Sequence, residues 1–106
     1  MPRLSLLEQQ ALARFGADVR AVLGARLVKL VLFGSRARGE GHEESDLDVL
    51  VLASSFTREE RRRIIDAAHD VLEDTDLVIS PIVRDEPGLA RAFPLAGAVE
   101  RDGVVL

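Results

Sequence analysis

Two groups of residues in this sequence have the types and the spacing to handle phosphate groups and a metal ion. Gly34 and Ser35 follow an apolar run, where a glycine lets the backbone approach a phosphate closely and leaves N–H groups pointing outward. Arg36 and Arg38 come directly after and add donors suited to a triphosphate. Taken alone, such a turn is more often an ordinary strand-to-helix connection with solvated arginines, so it needs support from elsewhere in the chain.

The second group is the pair Asp46 and Asp48, separated by Leu47. On a strand, this alternation places both carboxylates on one face, about 6.6 Å apart along the chain. Two acids on a buried strand repel each other unless a cation lies between them, and hard oxygen ligands of this kind suit Mg²⁺. For the pair in isolation, a solvated strand start is the simpler interpretation.

Asp76 is the candidate for a third carboxylate because it precedes another apolar run, in the same way as Asp46. Two alternatives stay open at this point. The polar residues Asp74, Thr75 and Asp76 could form a turn with a capping role. Asp74 also competes for the third position, although it lies two residues further from the apolar run.

The surrounding pattern predicts the elements that hold these residues. Apolar residues at three-to-four spacing predict a first helix that ends near Gly24, and Thr57 with Glu60 predicts a capping box that opens a second helix. Pro81 places the third strand at a sheet edge or ends it early. The predicted strands are residues 27–33, 46–52 and 76–83, and residues 89–100 form a helical segment broken at Pro94.

Topology decides whether these candidates can share a site. The Gly-Ser turn ends one strand and Asp46 opens the next, so they meet only if the two strands are antiparallel. Asp46 and Asp76 both open strands with a helix between them, which favours a parallel crossover. We therefore expect an α/β (α+β) fold, with helices packed against a small mixed β-sheet, as a single domain over residues 1–106.

The assembled motif resembles a known family. The run Gly34-Ser35-Arg36-Ala37-Arg38-Gly39, with ten residues between Ser35 and Asp46-Leu47-Asp48, resembles the GSx10DxD signature of the polymerase-beta-type nucleotidyltransferases. Its Gly-Ser-Arg-Ala-Arg-Gly form is similar to the minimal nucleotidyltransferase (MNT) group. The similarity extends from about Leu27 to the closing segment around Glu100.

The resemblance implies a nucleotidyltransferase core whose site uses two Mg²⁺ ions and ATP as substrate. By position, Asp46 and Asp48 would bind the metals, and Asp76 would bind one metal and help to deprotonate the acceptor hydroxyl. Gly34 and Ser35 would hold the β- and γ-phosphates. These roles agree with phosphoryl-transfer chemistry, which depends mainly on positioning and charge neutralisation.

The family also implies a partner. MNT proteins often act as antitoxins of a helical HEPN-type ribonuclease toxin, to which they add adenylate. We therefore expect transfer of AMP to a hydroxyl of such a partner. Two alternatives stay open: transfer to a small molecule such as an aminoglycoside, and an idle antitoxin that acts by binding alone.

The amino-acid composition narrows the classes of protein to which this chain could belong. The chain has 106 residues, no cysteine and a net charge of −4. These features exclude disulfides, thiol catalysis and cysteine-ligated zinc, and they argue against direct binding of nucleic acid. No apolar run approaches the length of a membrane span, so we expect no membrane association and a cytoplasmic location. The oligomeric state, including a homo-oligomer, is left open.

Overall fold

The computed structural model describes residues 3–40 and 46–106. The chain begins with a long helix, and a short 3₁₀ turn, Gly24–Arg26, joins that helix to the first of two consecutive strands. The elements are α1 Leu6–Leu23, β1 Leu27–Phe33, β2 Leu47–Ala53, α2 Arg58–Thr75, β3 Ile79–Arg84, α3 Glu86–Arg91, α4 Leu95–Asp102 and β4 Val104–Val105.

Both long helices begin with a capping box. The Thr57 Oγ1 accepts from the N–H of Glu60 at 3.0 Å and the Glu60 carboxylate accepts from the N–H of Thr57 at 2.9 Å, as the sequence predicts. Ser5 and Glu8 form the same reciprocal pair at the start of α1. Each box satisfies N–H groups that the first helical turn leaves without a partner. Within the described ranges, no helix is both long and apolar enough to traverse a bilayer.

The sheet has the strand order β3-β2-β1-β4. β1 and β2 are antiparallel, with Phe33 opposite Asp48, and β2 and β3 are parallel, so both predicted strand relations are confirmed. The fourth strand, β4, was not predicted, because a strand of only two residues is too short to show a pattern of alternating side chains. It pairs antiparallel with β1 through Val104 and Val105.

The two faces of the sheet carry different side chains of β2. Leu47, Val49 and Val51 face α1 and α2 and belong to the larger apolar cluster. Leu50 and Leu52 point to the opposite face, where they pack with residues of β1, α3 and α4. Because side chains alternate along a strand, Asp48 shares this second face with Leu50 and lies at the end of the strand nearest Asp46.

The third strand begins later than predicted. α2 continues to Thr75, and Asp76 is its C-terminal cap, with a left-handed φ of 62° and an N–H that donates to the Leu72 carbonyl at 2.8 Å. The Thr75 hydroxyl supports this end by donating to the Val71 carbonyl and accepting from the N–H of Leu77. Aspartate tolerates the left-handed region better than most residues do, so the capping role that the sequence left open is the one adopted. Pro81 lies on the edge strand, as expected.

A buried ion pair joins α1 to the turn that follows β1. Arg36 is 4% exposed and Glu8 is fully buried. The Arg36 guanidinium donates to both carboxylate oxygens of Glu8, at 2.6 and 3.1 Å, and to the carbonyls of Arg3 and Glu40 at 3.0 and 3.1 Å. Burial by itself raises the pKa of Glu8, but the hydrogen bonds and charge of Arg36 and the N–H of Ser5 outweigh it, so the pKa is lowered.

This pair predicts a specific loss on removing one charge. Glu8→Gln keeps a residue that can complete the capping box but leaves the buried Arg36 charge without a counterion. We expect the free energy of unfolding at pH 7 to fall by about 3–5 kcal/mol, the usual cost of breaking a buried pair. Denaturation in urea measures it, and Glu59→Gln, in the exposed first turn of α2, is the matched control.

The pH dependence follows from the lowered pKa. A carboxyl with a depressed folded pKa adds stability above its ordinary value of 4.5 and loses it as the pH falls through the folded value. The difference in unfolding free energy between wild type and Glu8→Gln should therefore have its full value near neutral pH and shrink below pH 4.5. A difference that stayed constant down to strongly acidic pH would contradict the assignment.

Candidate active site

The turn after β1 is built to present backbone N–H groups. Gly34 has a φ of 80°, a region that residues with a side chain rarely adopt. The N–H groups of Arg38, Gly39 and Glu40 close the turn on the carbonyls of Gly34, Arg36 and Ser35. The N–H groups that precede them, on residues 35–37, have no backbone acceptor among the described residues. Such a first turn resembles a helix N-terminus, which favours an anion.

Gly34 lies directly against Asp48. Because Phe33 is opposite Asp48 in the sheet, the chain leaves β1 immediately beside this carboxylate. A Cβ added to Gly34 would collide with the Asp48 Oδ2 and would lie 3.4 Å from its Cγ. The glycine therefore allows the positive φ and leaves room for the Asp48 carboxylate in its observed position. The structure thus brings the predicted phosphate-binding turn and the predicted carboxylate pair together.

The two carboxylates differ in their surroundings. Asp46 is exposed, whereas Asp48 is half-buried at the start of β2. Burial, and then the negative charge of Asp46, raises the pKa of Asp48. Without a cation, the folded protein therefore holds an acid whose charged form is disfavoured. A divalent ion bound by both carboxylates would remove this penalty, so the donor set fits a hard metal ion such as Mg²⁺.

The guanidinium groups of Arg36 and Arg38 already donate hydrogen bonds to carboxylates or carbonyls. Arg36 was predicted to bind phosphate, but its guanidinium is buried on Glu8 and two carbonyls, and its role in this structure is to hold the turn. Arg38 stays at the surface, where it donates to Glu40 at 3.0 Å and to Asp102 of α4 at 3.1 Å. Because Arg38 is exposed, it could contact a phosphate if it gave up one of these two carboxylate partners.

Asp76 is not brought into a cluster with the other two acids. It is an exposed cap residue, three positions before β3. Across residues 3–40 and 46–106, no three acidic or histidine side chains gather closely enough to hold one metal ion. The assignment of Asp76 as third carboxylate stays a prediction, and the residues 41–45 that complete the spacing lie outside the described ranges.

Two residues near the site were missed by sequence reasoning. Glu8 is visible in the sequence as half of a capping box with Ser5, but nothing in that pattern indicates its second role on Arg36. Ser80 lies opposite Asp48 on β3, and its hydroxyl donates to the Asp46 Oδ2 at 3.4 Å. The late start of β3 hid this neighbour, because the position opposite Asp48 depends on the register of the parallel pair.

The geometry assembles two functions at one end of the sheet: a turn whose N–H groups suit phosphate oxygens and an acid pair that suits a divalent cation. This combination suits the transfer of phosphoryl or nucleotidyl groups, a reaction in which charge neutralisation and positioning supply most of the catalysis. Residues 18–94 match the family described as the nucleotidyltransferase domain, so the chain belongs to the nucleotidyltransferase family.

Relatives and solved structures are consistent with this membership. The chain is 39% identical over 75 residues to a candidate protein adenylyltransferase of Methanocaldococcus jannaschii, covering 70% of this chain and 76% of that protein. A solved candidate minimal nucleotidyltransferase is 26% identical, with a TM-score of 0.59 over 92% of this chain and 94% of that one. A complex of tri-AMPylated Shewanella oneidensis HEPN toxin with MNT antitoxin shares the fold, with 19% identity and a TM-score of 0.60 over 92% and 69%.

The contact between Gly34 and Asp48 predicts a non-additive pair of substitutions. Gly34→Ala meets both an unfavourable φ and the Asp48 carboxylate, whereas Gly24→Ala meets only an unfavourable φ of 57°, with nothing within 4 Å of the added Cβ. We expect Gly24→Ala to lower the free energy of unfolding by about 1–3 kcal/mol, the range for a strained backbone conformation. Gly34→Ala should cost more than this, because the Asp48 carboxylate must also rotate away from the added methyl group.

The additional cost of Gly34→Ala over Gly24→Ala should disappear in the Asp48→Ala background, because that substitution removes the colliding atoms. Urea denaturation of the four proteins of the Gly34 and Asp48 cycle measures the coupling. Equal costs of Gly34→Ala in both backgrounds would show that the two residues are not in contact.

A second prediction concerns Asp48 in the metal-free protein. The folded state raises the pKa of Asp48 above the ordinary 3.8, so the ionised carboxylate destabilises the fold at higher pH. This destabilisation vanishes once the pH falls below 3.8. Asp48→Asn should therefore raise the melting temperature at pH 7, by roughly 4–8 °C for each 1 kcal/mol relieved. Calorimetry in chelator tests this, and a lower melting temperature at pH 7 would contradict it.

Proposed function

We propose that this chain transfers AMP from ATP to a hydroxyl group of a partner protein, with Mg²⁺ as cofactor and a HEPN-type toxin as the acceptor. In this proposal the chain is the antitoxin of a toxin–antitoxin pair. Asp46 and Asp48 hold the metal, and Gly34 and Ser35 hold the β- and γ-phosphates.

The observation that carries the proposal is the contact of Gly34 with Asp48. A triphosphate bound on the N–H groups of the turn would lie beside the two carboxylates, because no side chain separates Gly34 from the Asp48 Oδ2. Phosphate oxygens and carboxylate oxygens at one point form the ligand set in which Mg²⁺ is usually held with nucleotides. Ser35 adds a hydroxyl to the same turn and acts as a phosphate ligand rather than a nucleophile.

The reaction needs no covalent enzyme intermediate. The acceptor hydroxyl oxygen forms a bond to the α-phosphorus of ATP, the bond from that phosphorus to the α,β-bridging oxygen breaks, and pyrophosphate leaves. The hydroxyl proton passes to a base, the role predicted for Asp76. Bound metal supplies charge neutralisation along this path, while the residues of the turn keep the leaving phosphates in place.

The choice of a protein acceptor is supported by the relatives. The M. jannaschii relative is a candidate protein adenylyltransferase, and the S. oneidensis complex pairs an MNT antitoxin with a toxin that carries AMP groups. The two alternatives, a small-molecule acceptor and an idle antitoxin, predict different products and can be separated in one experiment.

We expect the partner to gain mass when it is incubated with this chain, ATP and Mg²⁺. The protein encoded beside this chain is the acceptor to test, and the intact mass of both proteins is the measurement. One or more AMP units on the partner are expected. The Asp46→Asn, Asp48→Asn double variant should lose this transfer, and it should bind Mg²⁺ with a non-hydrolysable ATP analogue far more weakly in calorimetry.

A matched control is available on α2. Asp66→Asn with Asp70→Asn removes the same two charges from exposed positions outside the site and should transfer AMP normally. If the partner never gains mass while the wild-type chain nucleotidylates an aminoglycoside, the small-molecule function replaces this one. If no acceptor gains mass but the partner is still inhibited, the chain acts by binding alone.

A further inference from the structure

A groove runs between α2 and β3, the edge strand of the described sheet. It has a volume of about 390 Å³, and Ile65, Leu72, Val78 and Pro81 are among its apolar lining residues. Leu72 and Val78 stay 37% and 36% exposed to solvent, although both are large and apolar. Exposed apolar side chains that share a concave surface are typical of a site that binds another molecule.

The groove and the turn at Gly34 lie on opposite sides of the acid pair. In the strand order β3-β2-β1-β4, the turn follows β1, Asp48 lies on β2, and the groove borders β3. The groove reaches the same end of the sheet as the acids, because the Val78 carbonyl accepts from the N–H of Leu47 at 2.9 Å. Transfer in line requires the attacking and leaving oxygens on opposite sides of the reacting phosphorus, so an acceptor would enter from the groove.

The first two turns of α2 carry positive charge along the same side of the helix. Arg58, Arg61 and Ile65 follow one another at the three-to-four spacing that places side chains on one face. Because Ile65 lines the groove, the two arginines extend the line of the groove along α2. Both are exposed, as is Arg62 beside them, and among residues 3–40 and 46–106 no carboxylate lies within ion-pair distance of any of the three. Positive charge near the N-terminus of a helix opposes the helix dipole, so an anionic partner would stabilise this end of α2.

The backbone of β3 favours a helical segment over an added strand as the occupant of the groove. Because the Val78 carbonyl faces β2, the alternate residues Ser80 and Ile82 face β2 as well. Pro81 then faces the open edge of the sheet, where it has no N–H to donate to an incoming strand. A helix needs no backbone hydrogen bonds from its partner and docks in a groove by its apolar side chains.

We propose that this groove is the docking site of the acceptor protein, which contributes a helical segment with an apolar stripe and an acidic end. The apolar side chains of that segment fill the groove between α2 and β3, and its acidic residues lie against Arg58, Arg61 and Arg62. The inference rests on the proposed function and adds to it the surface that holds the acceptor hydroxyl beside the acid pair. Since the groove lies apart from the turn at Gly34, docking and nucleotide binding can be measured separately.

Reversing the charge of Arg58 and Arg61 tests the docking of the acidic end. The probe is the protein encoded beside this chain, titrated calorimetrically in chelator into the Arg58→Glu, Arg61→Glu double variant. We expect its affinity to fall about tenfold and to become less dependent on salt. Both changes place acids in the first turns of α2, which favours the helix, so the loss would not report unfolding. Lys29→Glu with Arg91→Glu makes the same change of charge at exposed positions outside the groove and should bind like the wild type.

Leu72→Gln tests the apolar half of the groove. It should weaken binding of the same protein severalfold, whereas Leu6→Gln, at an exposed leucine of α1, should leave the binding unchanged. In the transfer reaction with ATP and Mg²⁺, both groove variants should raise the KM for the acceptor protein. Their affinity for a non-hydrolysable ATP analogue should equal that of the wild type, because the groove does not include the turn at Gly34.

Unchanged affinity for the neighbouring protein in both groove variants, or an equal loss in the control variants, overturns the docking site and leaves the proposed function in place. If the wild-type chain alone forms a dimer that Leu72→Gln dissociates, the groove joins two copies of this chain and the proposal is wrong. Groove-dependent binding without any transfer of AMP would instead support the docking site and remove the proposed function.

Discussion

The ion pair between Glu8 and Arg36 is the interaction on which the position of the turn after β1, the predicted phosphate-binding turn, depends. Glu8 serves two elements at once, because it closes the capping box of α1 and accepts both hydrogen bonds from the Arg36 guanidinium. Arg36 in turn binds the Glu40 carbonyl, so the same side chain holds the far end of the turn. A lysine could not replace it, since one ammonium cannot span two carboxylate oxygens and two carbonyls in a planar fork. The N-terminus of the first helix, the turn and the end of β1 are therefore fixed as one unit, although they are distant in sequence.

The sheet sets the other half of the site. Leu50 and Leu52 lie on the same face as Asp48, and their side chains are covered by residues of β1, α3 and α4. Desolvation of Asp48 follows from this arrangement, because the carboxylate stands at the end of an apolar row with Gly34 packed on it. The same apolar cover that stabilises the sheet thus makes the ionised form of Asp48 unfavourable.

Much of this arrangement could be predicted from the sequence, because the signals are local. The apolar run of β1 and the alternation after Asp46 locate the two central strands, and their antiparallel and parallel relations follow from where the candidate residues stand. The end of α2 could not be decided in this way, since Asp76 suits a strand start and a left-handed cap equally well. Only the pairing register of β2 and β3 in the folded protein distinguishes these two roles of Asp76. The partner of Arg36 could not be predicted for a related reason: an arginine beside such a turn looks available until its buried partner, 28 residues earlier, is known.

The commitment of the motif's arginines to carboxylates bears on how the charge of a triphosphate is balanced. Arg36 is neutralised by Glu8, and Arg38 is shared between Glu40 and Asp102. Two aspartates then stand beside the place where further negative charge must bind. Backbone N–H groups carry only partial charges, so they cannot offset both the phosphates and the acids. The arginines of the motif supply no uncommitted positive charge here unless Arg38 leaves its partners. A divalent ion, as proposed above, would supply positive charge at this point, and the phosphates would in turn supply oxygen ligands to the ion.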